Sequence, residues 1–403
     1  MEARDDIRPI PAFLTPFWPS NLGSNGIASY VERMVGYLRA RGVQPVVMSH
    51  QVGPPRPGDP TVIRLPSPPT GWRRLLGIGR QSGAWDAIAA ATRASEAHGA
   101  NLLQMEESHG WAARVKPLLS VPMVVRLHGP WFINGAANGR SGDDESRARI
   151  AEELKGILAA DAITAPSRNV LELTREYYGV PLENGLVIPS PVPEIPAERR
   201  WRLDGADRRT IAFIGRFDRH KGGDVMIDAF ARVAERRPDA RLIFAGLDSG
   251  LVDDDGRSWN LPDYIAAKAP AAADRIEVLG RVPADKVAGL RLRALATVIP
   301  SRYENLPNTV LEGSAFGAPM VASDAGGIPE IVQDGESALL VPPGDPDALA
   351  CALDRLLDDP SLAARLGAAA ADRAWREFRP DAIITRTLEF YADVIARHAA
   401  SRR

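Results

Sequence analysis

The sequence predicts an α/β protein built of two doubly wound domains in tandem, and three observations predict it. The chain has 403 residues, and at about 150 residues per domain that is more than one hydrophobic core serves. Short apolar runs alternate with helical periodicity along its length, the pattern of parallel strands joined by crossover helices. A proline-dense break divides the chain near its middle. The composition, 45% hydrophobic and 25% charged, is ordinary for a globular protein. A formal charge of −2 carries no global footprint for nucleic acid. The single cysteine, Cys351, excludes an intrachain disulfide and a cysteine-based zinc cluster.

Met1 to Arg8 is charged and lacks the apolar core of a secretory signal. No stretch reaches the ~18 uninterrupted apolar residues of a membrane span, so a cytoplasmic protein is expected. Ile10 to Leu14 predicts a strand, and Thr15 to Asn25 a loop rich in Pro, Gly and Asn. Ile27, Tyr30, Val31, Met34, Val35 and Leu38 then fall on one face of a helix, which Gly42 ends. Pro45 to Met48, Asn101 to Met105 and Met123 to Leu127 predict buried strands, with a helix around Ser95. Four prolines in the eight residues from Pro189 to Pro196, followed by the charged run Glu198 to Arg202, predict a stiff connector.

Beyond it the pattern resumes. Thr210 to Ile214 predicts a strand, Gly215 to Gly223 a loop, and Val225 to Arg236 a helix with Ile227, Phe230 and Ala234 inward. Arg241 to Ala245, Thr297 to Ile299 and Met320 to Ala322 predict further strands. Residues 1–190 are thus expected as a first domain, 191–209 as a linker and 210–378 as a second domain. The last helix, 379–403, carries Ile384, Leu388, Tyr391 and Ile395 on one stripe and is expected to cross back to the first domain. Two such domains joined by a hinge would enclose a cleft, with ligands beyond the carboxyl ends of the strands.

The stretch Pro300 to Gly317 is the most informative about chemistry. Glu304 precedes Pro307, a residue favoured in the first turn of a helix, and Glu312 is expected about one and a half turns inside it. N–H groups around Asn305 to Thr309 would lie at the helix's positive end, a site for a diphosphate, with the two carboxylates flanking it and accepting from sugar hydroxyls. Alone, the same spacing also fits a solvated helix with two surface acids. The loop Gly215-Arg216-Phe217-Asp218-Arg219-His220-Lys221-Gly222-Gly223 puts a planar guanidinium and a compact ammonium on a glycine-rich turn, two complementary ways to clamp phosphate oxygens. It matches neither the Walker loop nor the dinucleotide fingerprint. Asp324 to Glu330 adds two glycines after a strand, permitting close approach of backbone to a ligand.

In this order and spacing, Glu304-x7-Glu312, Gly215-Arg216 with Lys221-Gly222, and Gly326-Gly327-x-Pro329-Glu330 resemble a retaining glycosyltransferase of family 4, of two-Rossmann GT-B fold. Leu279 to Val282, Gly23 to Ile27, Arg126 to Gly129 and Val187 to Pro189 extend the resemblance over nearly the whole chain. It implies that Arg216 and Lys221 bind the donor diphosphate and stabilise its growing charge. It implies that Glu312 holds the ribose hydroxyls, that Glu304 holds hydroxyls of the donor sugar, and that backbone at Asn305 and Leu306 touches phosphate. Val282 would line the base pocket, while His128 and Gly26 would face the transferred sugar and the diphosphate. On this resemblance His128, Glu304, Arg216 and Lys221 are the catalytic candidates. No cofactor and no metal are expected, the nucleoside-diphosphate sugar serving as co-substrate. Asn25 stands where relatives carry a glycine, and is expected to keep the loop by tolerating left-handed backbone. Ser190-Pro191-Val192-Pro193 departs from the common Asn-Gly-Val-Asp and stiffens the hinge.

The resemblance implies a hexosyltransferase-type enzyme (EC 2.4) acting on a hydroxyl acceptor, either lipid-linked or small, with bacterial cell-surface polysaccharide or glycolipid assembly as the default setting. A sucrose- or trehalose-type synthase, a non-catalytic nucleotide-sugar-binding protein and a nucleotide-sugar epimerase are the other readings. No nucleic-acid partner is expected. Trp72 to Arg80 mixes aromatic, aliphatic and basic residues, fitting either peripheral contact with the inner face of a membrane or loop packing. Asp253-Asp254-Asp255 reads as a solvated loop, and the six histidines lack zinc spacing. His220 could join the phosphate loop, whereas His50, His98 and His398 read as surface or structural. Glu106, Glu107 and His109 read equally as cleft lining or as solvated. Asn134 to Glu145 reads as a long mobile loop, and Arg199 to Arg209 as a solvated linker. Alanine at Glu312 or Lys221 is expected to abolish transfer with the fold intact.

Overall fold

A computed structural model describes residues 7–23, 25–66, 84–140 and 142–402. The Trp72 to Arg80 segment lies outside the described residues. The chain divides into two compact units. The first comprises the described residues of Met1–Ile133, Ser141–Pro191 and Pro380–Arg403, and the second Asn134–Arg140 and Val192–Arg379.

The first unit is a parallel sheet of β1 (Pro11–Trp18), β2 (Val46–Val52), β3 (Thr61–Arg64), β4 (Leu102–Glu106), β5 (Met123–Arg126), β6 (Ala162–Ala165) and β7 (Gly185–Val187) in the order β3-β2-β1-β4-β5-β6-β7. Strands covered on both faces need apolar residues at every position, and Val46–Met48, Leu102–Met105 and Met123–Val125 are buried throughout. β1 runs past the expected end at Leu14: Pro16 interrupts the ladder without ending it, since pairing resumes at Phe17 with Gln51 and Trp18 with Val52. The helix Gly26–Ala40 buries Tyr30, Val31, Met34, Val35 and Leu38, the face its periodicity predicts. Asn25 is extended (φ −151°), not left-handed; its side chain caps the helix by accepting from Ile27 and Ala28 N–H. Half of the stretch 134–145 is helical and not loop. A helix covers Trp131–Ala137, and another starts at Asp144, where Asp143 accepts from Ser146 N–H at 2.6 Å. The acidic run that reads as loop composition is capping chemistry.

The final helix, Pro380–Ser401, belongs to the first unit as expected. Ile384 joins the Phe13, Tyr30 and Met34 cluster, while Ile383, Phe390, Tyr391 and Val394 pack with Leu102, Val124, Ala162 and Ile188. The Tyr391 hydroxyl donates to Gln104 Oε1 inside that core.

The second unit is a parallel sheet of β8 (Asp207–Ile214), β9 (Arg241–Ala245), β12 (Ile276–Gly280), β13 (Ala294–Ile299), β14 (Met320–Ser323) and β15 (Leu339–Val341), in the order β12-β9-β8-β13-β14-β15. A two-stranded hairpin, β10 (Leu251–Val252) with β11 (Ser258–Trp259), is inserted after β9. The connector is less solvated than its charge suggests. Val192 N–H donates to Phe378 O at 2.9 Å, and Trp201 is buried in the second unit's core, its Nε1 donating to Ala294 O at 2.8 Å. Flanking arginines hide the Trp201 anchor in the sequence. Trp201→Ala is expected to cost about 3–5 kcal/mol of stability, read as a lower urea midpoint.

In each sheet the chain starts in the middle and winds both ways. The order reverses between β1 and β4 in the first unit and between β8 and β13 in the second. Ligands of open α/β sheets bind at such reversals, beyond the carboxyl ends of the strands. The candidate residues lie on the loops that leave those ends.

Candidate active site

In the second unit the loops after β8 and β13 are laced together. Phe217 anchors the first: its ring is buried, its N–H donates to Leu247 O and its carbonyl accepts from Ser249. Asp218 then braces the loop, Oδ2 accepting from Arg216 Nε at 2.6 Å and Oδ1 from the Lys221 backbone N–H at 2.7 Å. Gly222 takes a left-handed φ of 67°, and a Cβ there would lie 2.0 Å from Pro300 O. Only glycine permits both that turn and that approach.

Lys221 Nζ donates to Glu304 Oε1 at 2.7 Å, and Ser301 Oγ donates to the same oxygen at 2.7 Å. Burial alone would push the Glu304 carboxyl up. The charges of Lys221 and His220 and these hydrogen bonds outweigh it and hold the carboxyl below its ordinary value. His220 does not reach outward; its Nε2 lies 2.8 Å from Tyr303 O, and burial followed by the Lys221 charge lowers its pKa. Arg302 ties the loops a second time, through Arg219 O and a bidentate pair with Asp224 at 2.7 and 2.8 Å. Gly327 N–H donates to Glu304 O at 2.8 Å, and a Cβ on Gly326 (φ 58°) would lie 2.0 Å from that carbonyl. The glycine pair expected to admit a ligand's approach instead admits Glu304's own backbone.

Two helices begin at this edge of the sheet. Gly222 caps Gly223–Arg236, and Pro307 caps Asn308–Ala315, its carbonyl accepting from Val310 and Leu311. Pro307 therefore stands just before the helix, and Glu312 is its fifth residue, a little over one turn in. Helix N-termini favour anions, and Arg216 and Lys221 stand on the loop that leads into the first of these two. Leu306 turns its side chain into the core beneath, with Val310 and Leu311. Asn305, beside it, is half-buried. Val282 follows the end of β12, where Gly280 turns the chain at φ 61°, and is half-buried. Glu312 Oε2 lies 3.0 Å from Nη2 of Arg291, a buried residue of the Ala284–Arg293 helix.

Gly26 and His128 belong to the first unit. A Cβ on Gly26 would meet nothing within 4 Å, so local packing does not require glycine there. Burial, and then the charge of Arg126, hold the His128 imidazole well below its ordinary pKa, hence neutral near pH 7. Its backbone N–H donates to Glu107 Oε2 at 2.9 Å. Glu107 is buried, not solvated, and Glu106 Oε2 is enclosed without a hydrogen-bond partner. Burial pushes Glu106 up to about 7 and Glu107 up to about 8, the latter helped by Glu153. Glu153 accepts from Trp131 N–H at 2.7 Å and from Arg149 Nε at 2.9 Å. The loops after β4 and β5 are thus pinned by buried carboxyls.

These carboxyls titrate near 4.5 when unfolded and at about 7 and about 8 when folded. Between those values the folded chain holds more protons, so the stability they confer is complete below pH 4.5 and is lost as pH rises through 8. The melting temperature is expected to fall between about pH 4.5 and about pH 8, and Glu107→Gln is expected to flatten that slope.

Among the described residues no three His, Cys, Asp or Glu side chains gather as a metal site. Asp253 accepts from Trp259 Nε1 at 2.7 Å, and Asp254 pairs with Arg219.

The family model described as Glycosyl transferases group 1 matches residues 195–373, and that described as Glycosyltransferase Family 4 matches residues 24–194. D-inositol 3-phosphate glycosyltransferase of Thermobispora bispora is 31% identical over 298 residues, covering 72% of this chain and 68% of that protein. The chain belongs to glycosyltransferase family 4. Among solved structures, sucrose-phosphate synthase from Thermosynechococcus elongatus matches with a TM-score of 0.72 at 21% identity, over 97% of this chain and 100% of that one. Anabaena HepE in complex with UDP and glucose matches with a TM-score of 0.70 at 17% identity, over 96% and 100%. Both share the GT-B fold with this glycosyltransferase.

Sequence reasoning missed three residues of the site's framework and left Glu107 open between cleft lining and solvent. Asp218 could have been found, as the lone carboxylate among the cations of one loop. Glu107 carried a weaker signal, an acid close after an apolar strand. Arg302 sits among loop residues, and Arg291 in a Leu-Arg-Leu-Arg run that reads as helix surface, so neither had one.

Proposed function

We propose that this glycosyltransferase moves a sugar with net retention from a nucleoside diphosphate to an acceptor hydroxyl, without a metal, in cell-surface polysaccharide or glycolipid assembly. The observation that carries the donor assignment is the meeting of two helix N-termini with Arg216 and Lys221 at the β8/β13 reversal. The bond from C1 to the diphosphate oxygen breaks with its electron pair going to phosphate. Arg216, Lys221 and the helix ends face that growing charge. The acceptor oxygen bonds C1 on the same face, and its proton passes to the leaving phosphate. Glu304 holds donor-sugar hydroxyls and Glu312 the ribose. Val282 lines the base, and backbone at Asn305 and Leu306 meets phosphate. Neutral His128 and Gly26 serve the transferred sugar and the diphosphate from the first unit.

A second reading, a small phosphorylated acceptor, is favoured by the names of the inositol-phosphate and sucrose-phosphate enzymes it resembles. No helix among the described residues is long and apolar enough to cross a membrane, so a lipid-linked acceptor would be met by peripheral contact. The test is nucleoside-diphosphate release from UDP-, GDP-, ADP- and dTDP-sugars with chelator present. A lipid extract or a panel of polyol and sugar phosphates is added as acceptor. Release from one donor, accelerated by one acceptor class and giving a product of unchanged anomeric configuration, supports the proposal. Release only with added divalent metal, or an inverted product, overturns its metal-free or retaining part.

A further inference from the structure

Behind Glu312 the second unit buries a cation that the donor loops do not use. Arg291 is 2% exposed, and its Nη2 lies 3.0 Å from Glu312 Oε2. Neither Nη2 nor Nε is aligned with any acceptor for a hydrogen bond, so the contact is charge against charge. A guanidinium held out of water requires an anion beside it. The Glu312 side chain stays 29% exposed, so one carboxylate oxygen is set against the buried cation while part of the side chain remains open to solvent.

We propose that Arg291 is a positioning residue that fixes the Glu312 carboxylate and thereby sets the site's preference for a ribose diol. This rests on the reading that Glu312 holds the ribose hydroxyls. With one oxygen drawn toward Arg291, rotation of the carboxylate is restricted, and two neighbouring hydroxyls meet an acceptor already oriented for both. The side chains proposed for the diphosphate, Arg216 and Lys221, lie on another element, the loop after β8.

The test uses the full chain and compares binding of UDP, GDP and ADP with that of their 2′,3′-dideoxy counterparts, taking the base that binds tightest. The wild type is expected to prefer the ribonucleotide. Arg291→Met is expected to lose that preference by about ten-fold while binding the dideoxy form as before. Donor KM should rise with kcat nearly unchanged, Arg291→Lys should recover part of the preference, and Arg291→Met should add nothing in a Glu312→Gln background. Equal loss of ribo and dideoxy binding, or no loss of either, overturns the proposal. If Glu312→Gln removes the preference and Arg291→Met keeps it, only the role of Arg291 falls. If Arg291→Met with Glu312→Ala, which leaves neither an acceptor oxygen nor an unpaired charge, keeps it too, the ribose reading of Glu312 falls with it. Should Arg291→Met not fold, Arg291→Lys carries the same comparison, and an unchanged preference there overturns the proposal.

Discussion

Lys221→Met is expected to lower kcat/KM at least a hundred-fold, the scale set by removing one fixed donor from a developing oxyanion. The loss has two sources. Lys221 is, with Arg216, one of the two side chains assigned to the diphosphate, and its Nζ is also a hydrogen-bond donor to Glu304, 2.7 Å away. Glu304 is 7% exposed, and only the neighbouring charges and hydrogen bonds hold its carboxyl below the ordinary value against burial. Without Lys221 the carboxyl rises toward protonation and stability falls with it, so the expectation of an intact fold must be revised. Lys221→Met combined with Glu304→Gln removes the orphaned charge. Thermal melting of that pair should recover toward wild type while transfer stays abolished. Recovery of transfer in the pair would remove Lys221 from the site.

Glu312→Ala is expected to destabilise the second unit by about 3–5 kcal/mol, the scale for breaking a buried pair from one side. In the sequence Glu312 reads as a ligand-site residue whose removal leaves the fold intact. The structure makes it the anion beside buried Arg291. The urea midpoint should fall for Glu312→Ala and recover in Arg291→Met with Glu312→Ala, which leaves no unpaired charge. An unchanged midpoint in the single variant would mean that Arg291 is neutralised elsewhere. Loss of transfer in Glu312→Ala therefore mixes lost binding with lost stability, whereas Glu312→Gln keeps an acceptor oxygen at the site.

Two doubly wound units were legible because both sheets bury both faces, which forces continuous apolar runs such as Met123–Val125 and Ile211–Phe213. Short or weakly apolar strands such as β3 and β7 carry no such run and were not read. The donor-side residues were legible because chemistry and backbone agree there: cations stand beside glycines, and glutamates flank a helix start. What the sequence hid is second partners. Arg291 and Arg302 act through the residues they hold, and their contacts join segments up to 83 residues apart, a separation that leaves no local pattern. The same holds for Glu107, whose buried state follows from packing under the loop of His128.

The most direct measurement is calorimetric titration of nucleoside diphosphate into wild type, Lys221→Met with Glu304→Gln, and His128→Ala. If the loops after β8 and β13 form the donor site, affinity falls at least a hundred-fold in the Lys221 variant and stays within a few-fold of wild type for His128→Ala, where the imidazole serves the sugar. Undiminished binding by a folded Lys221 variant would place the diphosphate elsewhere and contradict the assignment.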